Sequence, residues 1–543
     1  MRTTAAVVAV VLGLACADAL ARPGMAATAG SAVAVGGAAH PDFDGDGHAD
    51  LVVGAPHASS RRKNVGEVHV IHGSPDGLDL GRRQVWGQNS KGLRNRAESG
   101  DQFGWSVCTG DFNGDGFTDL AIGSRSEDRG AIDAGSVHVL YGSQTGLRAT
   151  RSQLWTQASK GIADRPERGD GFGWSLAAGD FDRDGHDDLA IGAHHEDRGA
   201  PDAGVVHVLS GSPGGLTARG AQLWSQASRG IEDAPEDGDQ FGRTLAVADF
   251  NGDGFTDLAI GAPYEDRFAD RVGVVHVLHG SRQGLRAKGS QLWHQDAPGI
   301  AEQAEERDQF GQSLAAADFD GDGFGDLAVG VWFEDYRNLL SNEGGSHVIY
   351  GSREGLRSKD NEFWHQDRQG AFDRAHMSDR FGQVLTAADF DGDGRDDLAV
   401  GIPSTDLGGG VHQNRGAVHV FHGARDGLGA KGDRYLSQRT NGVLDKPERN
   451  DHFGGALASA DFDGDGFADL AVGIPYEDLA SRDDGAVYVV HGTRRGLDTS
   501  RDLLIGLSRK GLSRRPMRGA HFGWAMAGQH SNSGVPRTAD PEI

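Results

Sequence analysis

Residues 172–193 read FGWSLAAGDFDRDGHDDLAIGA. In the first nine, Phe172, Trp174 and Leu176 alternate with Gly173, Ser175 and Ala177, which is the period of a β-strand. The side carrying only small residues fits an innermost strand, where neighbouring sheets crowd together. The last six residues, DLAIGA, form a second apolar run. Between the two runs stand Asp180, Asp182, Asp184 and Asp188. Carboxylates this close repel by about 4 kcal/mol per pair at 4 Å and an effective dielectric of 20. Such a loop is unfavourable unless something positive sits among its oxygens.

The sentence recurs. Asp-rich loops begin at Asp42, Asp111, Asp180, Asp249, Asp318, Asp389 and Asp461, at intervals of 69 to 72 residues. Each is followed by a β-branched run such as GVVHVL, a glycine-rich turn such as GSPGGL, and a block such as QLWSQ. A unit therefore holds four antiparallel strands, A to D, with the Asp loop between A and B. Seven such units in series fit a β-propeller, an architecture of 4–8 radially arranged four-stranded sheets. The fold class expected is all-β, a seven-bladed propeller of four-stranded antiparallel blades with cation-binding A–B loops. The 85 glycines match so many tight turns. Phe522 to Ala527 repeats strand A with no Asp loop after it, whereas the loop at Asp42 lacks a Phe-Gly before it. The C-terminal strand is therefore expected to complete the first blade, with Ala32 to Gly37 as the rival.

Phe-Gly, an Asp loop and then Gly-Ala-Pro (Gly54-Ala55-Pro56, Gly261-Ala262-Pro263) resemble FG-GAP repeats. The chain is similar to the N-terminal propeller of integrin α chains and to bacterial-type secreted relatives over about residues 42–528. The resemblance implies a calcium-binding hairpin loop in each blade, and ligand binding on the face opposite the calcium.

Within the loops, position 1 is Asp42, Asp111, Asp180, Asp249, Asp318, Asp389 or Asp461. Position 3 is Asp44, Asn113, Asp182, Asn251, Asp320, Asp391 or Asp463. Position 5 is Asp46, Asp115, Asp184, Asp253, Asp322, Asp393 or Asp465, and position 9 is Asp50, Asp119, Asp188, Asp257, Asp326, Asp397 or Asp469. Position 7 offers a backbone carbonyl from His48, Phe117, His186, Phe255, Phe324, Arg395 or Phe467. Calcium accepts six to eight oxygens in irregular geometry, whereas magnesium demands an octahedron, so up to seven Ca²⁺ are expected. An EF-hand would need Glu at position 12, where Val53, Ile122 and Ile191 stand, and helical flanks. Seven divalent ions would take the net charge of −26 to about −12. Loops two and four, each with an Asn, are expected to bind more weakly.

That acidic balance argues against nucleic acid as a partner. Residues 1–21 read as a signal peptide, 22–41 as a linker, 42–528 as the propeller and 529–543 as a tail. The expected location is extracellular, with a lipid anchor on Cys16 as the alternative and no membrane span. Cys108 is then the one remaining cysteine, in a slot filled by Ala177 and Ala246 in other repeats, so bound ions must do the work of disulfides.

The long B–C and D–A loops should share the face opposite the Asp loops. They carry recurring acids (Glu196-Asp197 after strand B, Asp170 before Phe-Gly), which read as braces. A ligand should contact what differs between blades: Trp332, Phe333 and Tyr336 in the fifth, Leu407 to Asn414 in the sixth, His194 and His195 in the third. Arg168-Gly169-Asp170 spells an adhesive tripeptide, yet its Gly and Asp belong to the repeat. The histidine column (His69, His138, His207, His276, His347, His419) reads as packing between blades.

No nucleophile elbow, HExxH or phosphate loop occurs, and the blades take up nearly the whole mature chain. The expected function is a non-enzymatic adhesion or ligand-binding module for an extracellular protein or glycan, of unknown oligomeric state. One alternative is a calcium-dependent lectin, in which the Trp86, Trp155, Trp224, Trp293 and Trp364 column would stack on sugars. The other is a hydrolase-associated, phospholipase-like protein.

Overall fold

A computed structural model describes residues 41–59, 63–267, 269–335, 342–368, 374–407, 413–507 and 517–527. The leader, linker, C-terminal tail, the rival strand 32–37 and Tyr336 lie outside these residues. The described chain forms seven four-stranded antiparallel sheets. In the third blade strand A is Leu176–Gly179, B is Asp188–Ala193, C is Val205–Ser210 and D is Thr217–Trp224. Strands A to C are almost wholly buried in every blade, while D alternates toward solvent. Innermost strands of successive blades touch all the way round, so the ring is closed.

Closure uses the C-terminal segment. Ala525–Ala527 pairs antiparallel with Leu51–Ala55, placing Val52 opposite Ala527 and Gly54 opposite Ala525. The first blade is thereby built from both ends of the described chain.

Strand A is shorter than its alternation implies. The alternation at Phe172 predicts strand from that residue, but Phe172 to Ser175 make a turn and the strand starts at Leu176. Gly173 has φ +90°, which L side chains rarely adopt, so the alternating pattern there serves a bend. The same glycine column shows why the motif exists. A Cβ on Gly192, in strand B, would stand 2.1 Å from the carbonyl oxygen of Gly242 in the next blade. Ser175 Oγ donates 2.6 Å to that same carbonyl. Glycines at these two columns let adjacent blades approach backbone to backbone.

The histidine column does not converge, and its packing is within blades. His138 meets Phe103, His207 meets Phe172 and His276 meets Phe241 at 5.3–5.4 Å between ring centroids, each pair in one blade. The Phe then reaches the preceding blade through a backbone bridge, as from Phe172 to Gly135. Cys108 is fully buried, and burial pushes its thiol well above the usual range, which makes it a filler.

Candidate metal centres and the axial face

Each Asp loop is folded by its own carboxylates. In the second blade Asp111 accepts the N–H groups of Gly114, Asp115 and Gly116 at 2.7, 3.2 and 2.8 Å, and Asp115 accepts that of Phe117 at 3.1 Å. Asp119, at position 9, is fully buried and accepts two distant N–H groups, Phe112 at 3.0 Å and Gly142 at 2.9 Å. The same pair of bonds recurs at Asp50, Asp188, Asp257, Asp326, Asp397 and Asp469. Position 9 therefore ties its loop to the turn between strands C and D.

The loops also hold one another. Thr118 donates to the carbonyl of Asp42, Asp187 to that of Asp111, and so on round the ring to Ala49, which donates to Asp461 at 3.2 Å. The C–D turns add a second series, with Ser143 donating to Phe43 and Ser212 to Phe112 in the preceding loops. No sequence spacing announces this belt of backbone bonds.

These residues fit a hard divalent cation. Carboxylate oxygens of Asp42, Asp44 and Asp46, and of Asp180, Asp182 and Asp184, lie within 4.8 Å of one another. Asp44 Oδ1 is buried without a hydrogen-bond partner. Burial, reinforced by neighbouring loop carboxylates, pushes Asp119 and Asp188 up to about 8, so neither is at ease as an anion unless a cation neutralises it. Strand-D arginines offer partial compensation: Arg82 reaches Asp46 at 2.9 Å and Arg501 reaches Asp463 at 3.4 Å. Both are half-exposed, where ion pairs contribute little.

Sequence reading missed four histidines. His72, His279 and His491 end strand C, His422 stands two residues before its end, and all four bring Nδ1 to within 3.0–3.2 Å of the position-9 carboxylates of Asp50, Asp257, Asp397 and Asp469. The carboxylates of Asp397 and Asp469, 3.2 Å away, hold His422 and His491 above the ordinary imidazole range. The available signal was a His-Gly dipeptide closing strand C in just these blades, where the others have Tyr141, Ser210 and Tyr350.

On the opposite face the recurring acids are braces. Asp170 accepts the N–H of Glu167, and Gln226 donates 2.6 Å to Glu265. Asp170 is 1% exposed, so the Arg-Gly-Asp stretch does not present its carboxylate. Burial, then the adjacent aspartate, raises Glu196 to about 8, and Glu265 and Glu334 to about 9. A carboxyl that binds its proton more tightly folded than unfolded stabilises at low pH, and that contribution fades as pH rises from about 4.5 to 9. The buried His138, His207 and His276, lowered to about 4, act oppositely and withdraw stability as pH falls below about 6.5. At fixed calcium, the two sets offset one another between about pH 4.5 and 6.5, and the melting temperature should fall from there toward pH 9; a melting temperature still rising at pH 9 would contradict this.

Of the blade-specific candidates, Trp332, Phe333, His194 and His195 gather near the ring axis, while residues 408–412 of the sixth-blade stretch lie outside the described residues. Trp332 is fully buried in one cluster with Trp105, Trp174, Trp524 and Tyr476 from four other blades, and Phe333 packs against it. His194 lies 3.9 Å from the Trp174 ring and 3.8 Å from His195. By contrast, the Trp86 to Trp364 column ends strand D, half-buried to buried, and gives way to Leu436 and Ile505 in the last two blades. It does not form seven equal open pockets.

The FG-GAP repeat model matches residues 29–71, 103–140, 172–209, 241–278, 310–350, 381–421 and 453–490. Integrin alpha-PS2 of Drosophila melanogaster is 36% identical over 239 residues, 43% of this chain and 15% of that protein. The phosphatidylinositol-glycan-specific phospholipase D of Mus musculus is 27% identical over 448 residues, 77% of this chain and 50% of that protein. The chain thus spans half or less of the length of these relatives. A rhamnogalacturonan lyase of Bacillus licheniformis aligns over 94% of this chain and 97% of its own at 13% identity, with a TM-score of 0.33, too low to bear on function. The repeat matches fall on all seven blades, whose spacing and loop geometry are those described above, and this chain belongs to the FG-GAP repeat family.

Proposed function

We propose that the protein is a calcium-stabilised, non-enzymatic binding module that recognises an extracellular ligand through the loop face opposite its Asp loops. The observation that carries this reading is the division of labour between the two faces. One face repeats the same carboxylate-rich loop seven times, and the other gathers the residues that differ between blades. Calcium would be held by positions 1, 3, 5 and 9 with the carbonyl of position 7, and would supply the counter-charge that lets the loops close. Membership of the family and the similarity to an integrin α chain support a protein ligand. Among the described residues no helix is long and apolar enough to cross a membrane, which accords with secretion.

A second reading is favoured by coverage. The phospholipase D relatives align with 77–82% of this chain, so the propeller can equally serve beside a hydrolase. A screen of the full chain against arrayed matrix proteins and glycans, in calcium and in chelator, separates these. One protein ligand bound only in calcium is expected. Seven-fold sugar binding would replace the reading with a lectin, and turnover of a lipid or ester would replace it with an enzyme.

A further inference from the structure

The axis of the loop face has the opposite electrostatic character to the rest of the chain. Four columns of the repeat line it: the residue on each side of Phe-Gly, and the two residues that follow strand B. These columns contain no Asp or Glu in any blade, although 79 acids in 543 residues would place about four there by composition. They contain arginines, histidines and tryptophans in their place. The contacts run continuously through several blades, from His452 to Tyr476 (5.1 Å), to His521 (4.6 Å), to His57 (4.7 Å) and to Trp524 (4.7 Å). From there they pass to Trp105 and Trp174 at 5.5 and 5.0 Å.

Hydrogen-bond donors at this site lack acceptors. The indole N–H groups of Trp105, Trp174, Trp332 and Trp524, the Tyr476 hydroxyl and Arg380 Nε are all buried without a partner. Buried donors left in this state are costly, by about 1–3 kcal/mol each. Arginine side chains lie over the aromatic rings, Arg125 3.7 Å above Trp105 and Arg380 5.1 Å from Phe333. An aromatic cage already facing its own arginines has no use for a further cation. In the loops that follow, Asp128, Asp197, Asp266 and Asp478 are exposed, the first three each next to an arginine, Arg129, Arg198 or Arg267.

We propose that this axial socket takes a single carboxylate, an acidic side chain presented by a protein partner on a basic or neutral loop. The donors supply what a carboxylate lacks, and the chain's net charge of −26 favours flanking positive charge while repelling polyanions. The inference rests on the ligand-face reading above and narrows it to one chemistry.

The test is tryptophan fluorescence of the full chain in calcium, titrated with the peptide Ac-Lys-Glu-Lys-NH₂, with its Gln counterpart, and with poly-glutamate. Saturable quenching by the Glu peptide is expected, with the Gln peptide at least about tenfold weaker. Arg380→Gln should weaken the Glu peptide about tenfold, and Arg380→Lys should recover part of it. Trp332→Phe, which removes one N–H and keeps the ring's packing, supplies a second reading should Arg380→Gln not fold. Equal binding of the Glu and Gln peptides, preference for poly-glutamate, absence of quenching, or indifference to both substitutions would overturn the socket. A partner found in the array screen whose binding ignores these substitutions would leave the ligand face standing and remove only the carboxylate assignment.

Discussion

Stripping divalent ions from the full chain should lower its melting temperature by about 5–12 °C, and restoring calcium should reverse the change. The size follows from linkage. Calcium modules that work outside the cell bind at roughly 10⁻⁴ to 10⁻³ M. At about 2 mM free calcium such sites contribute about 0.6–1.8 kcal/mol each, hence roughly 5–12 kcal/mol over seven loops. For a propeller of this length, unfolding entropy converts that to about one degree per kcal/mol. The loops are not independent, because position 8 of each donates to position 1 of the one before it, and the circle closes from Ala49 to Asp461. An ion that orders one loop therefore sets the backbone of its neighbour. Calorimetry should show one ion-dependent transition, and removing the ligands of a single loop should weaken binding at adjacent loops. A melting temperature indifferent to chelator would reduce the seven loops to solvated acidic turns.

The second large effect separates ligation from bracing. Asp119→Ala should destabilise by about 2–4 kcal/mol in chelator, because it leaves the N–H groups of Phe112 and Gly142 buried without an acceptor, and by about 1–2 kcal/mol more in calcium, where position 9 is also a ligand. Asp115→Ala, in the same loop, removes an exposed carboxylate whose internal bond is to Phe117. It should change stability by less than about 0.5 kcal/mol in chelator, and by about 1–2 kcal/mol in calcium as the loop's ion is lost. Chemical denaturation of both variants under both conditions reads all four numbers. If Asp119→Ala were harmful in calcium alone, position 9 would be a ligand without the bracing role assigned to it.

Much of this architecture was legible from the chain. The spacing of the Asp loops gave blade number, the A–B position of each loop, and the C-terminal strand as a partner for the first blade. Repetition made those inferences secure, since seven copies of one pattern exclude most accidents. Reading failed where a local pattern had two physical meanings. Phe172 to Ser175 alternate like a strand but form a bend, because glycine at φ +90° satisfies a turn as well as it satisfies the alternation. The histidine column reads in sequence as inter-blade packing, whereas each imidazole meets the Phe of its own blade.

The amino-acid sequence by itself determined the blade count, the all-β class and the acidic loops, because these depend on local periodicity and on charge spacing along the chain. Tertiary structure alone decided three things: the belt of backbone bonds between loops, the histidines placed against position 9, and the gathering of Trp332, His194 and Arg380 around one axis. Each joins residues from different strands or blades, tens to hundreds of positions apart, and only ring closure fixes which of them meet.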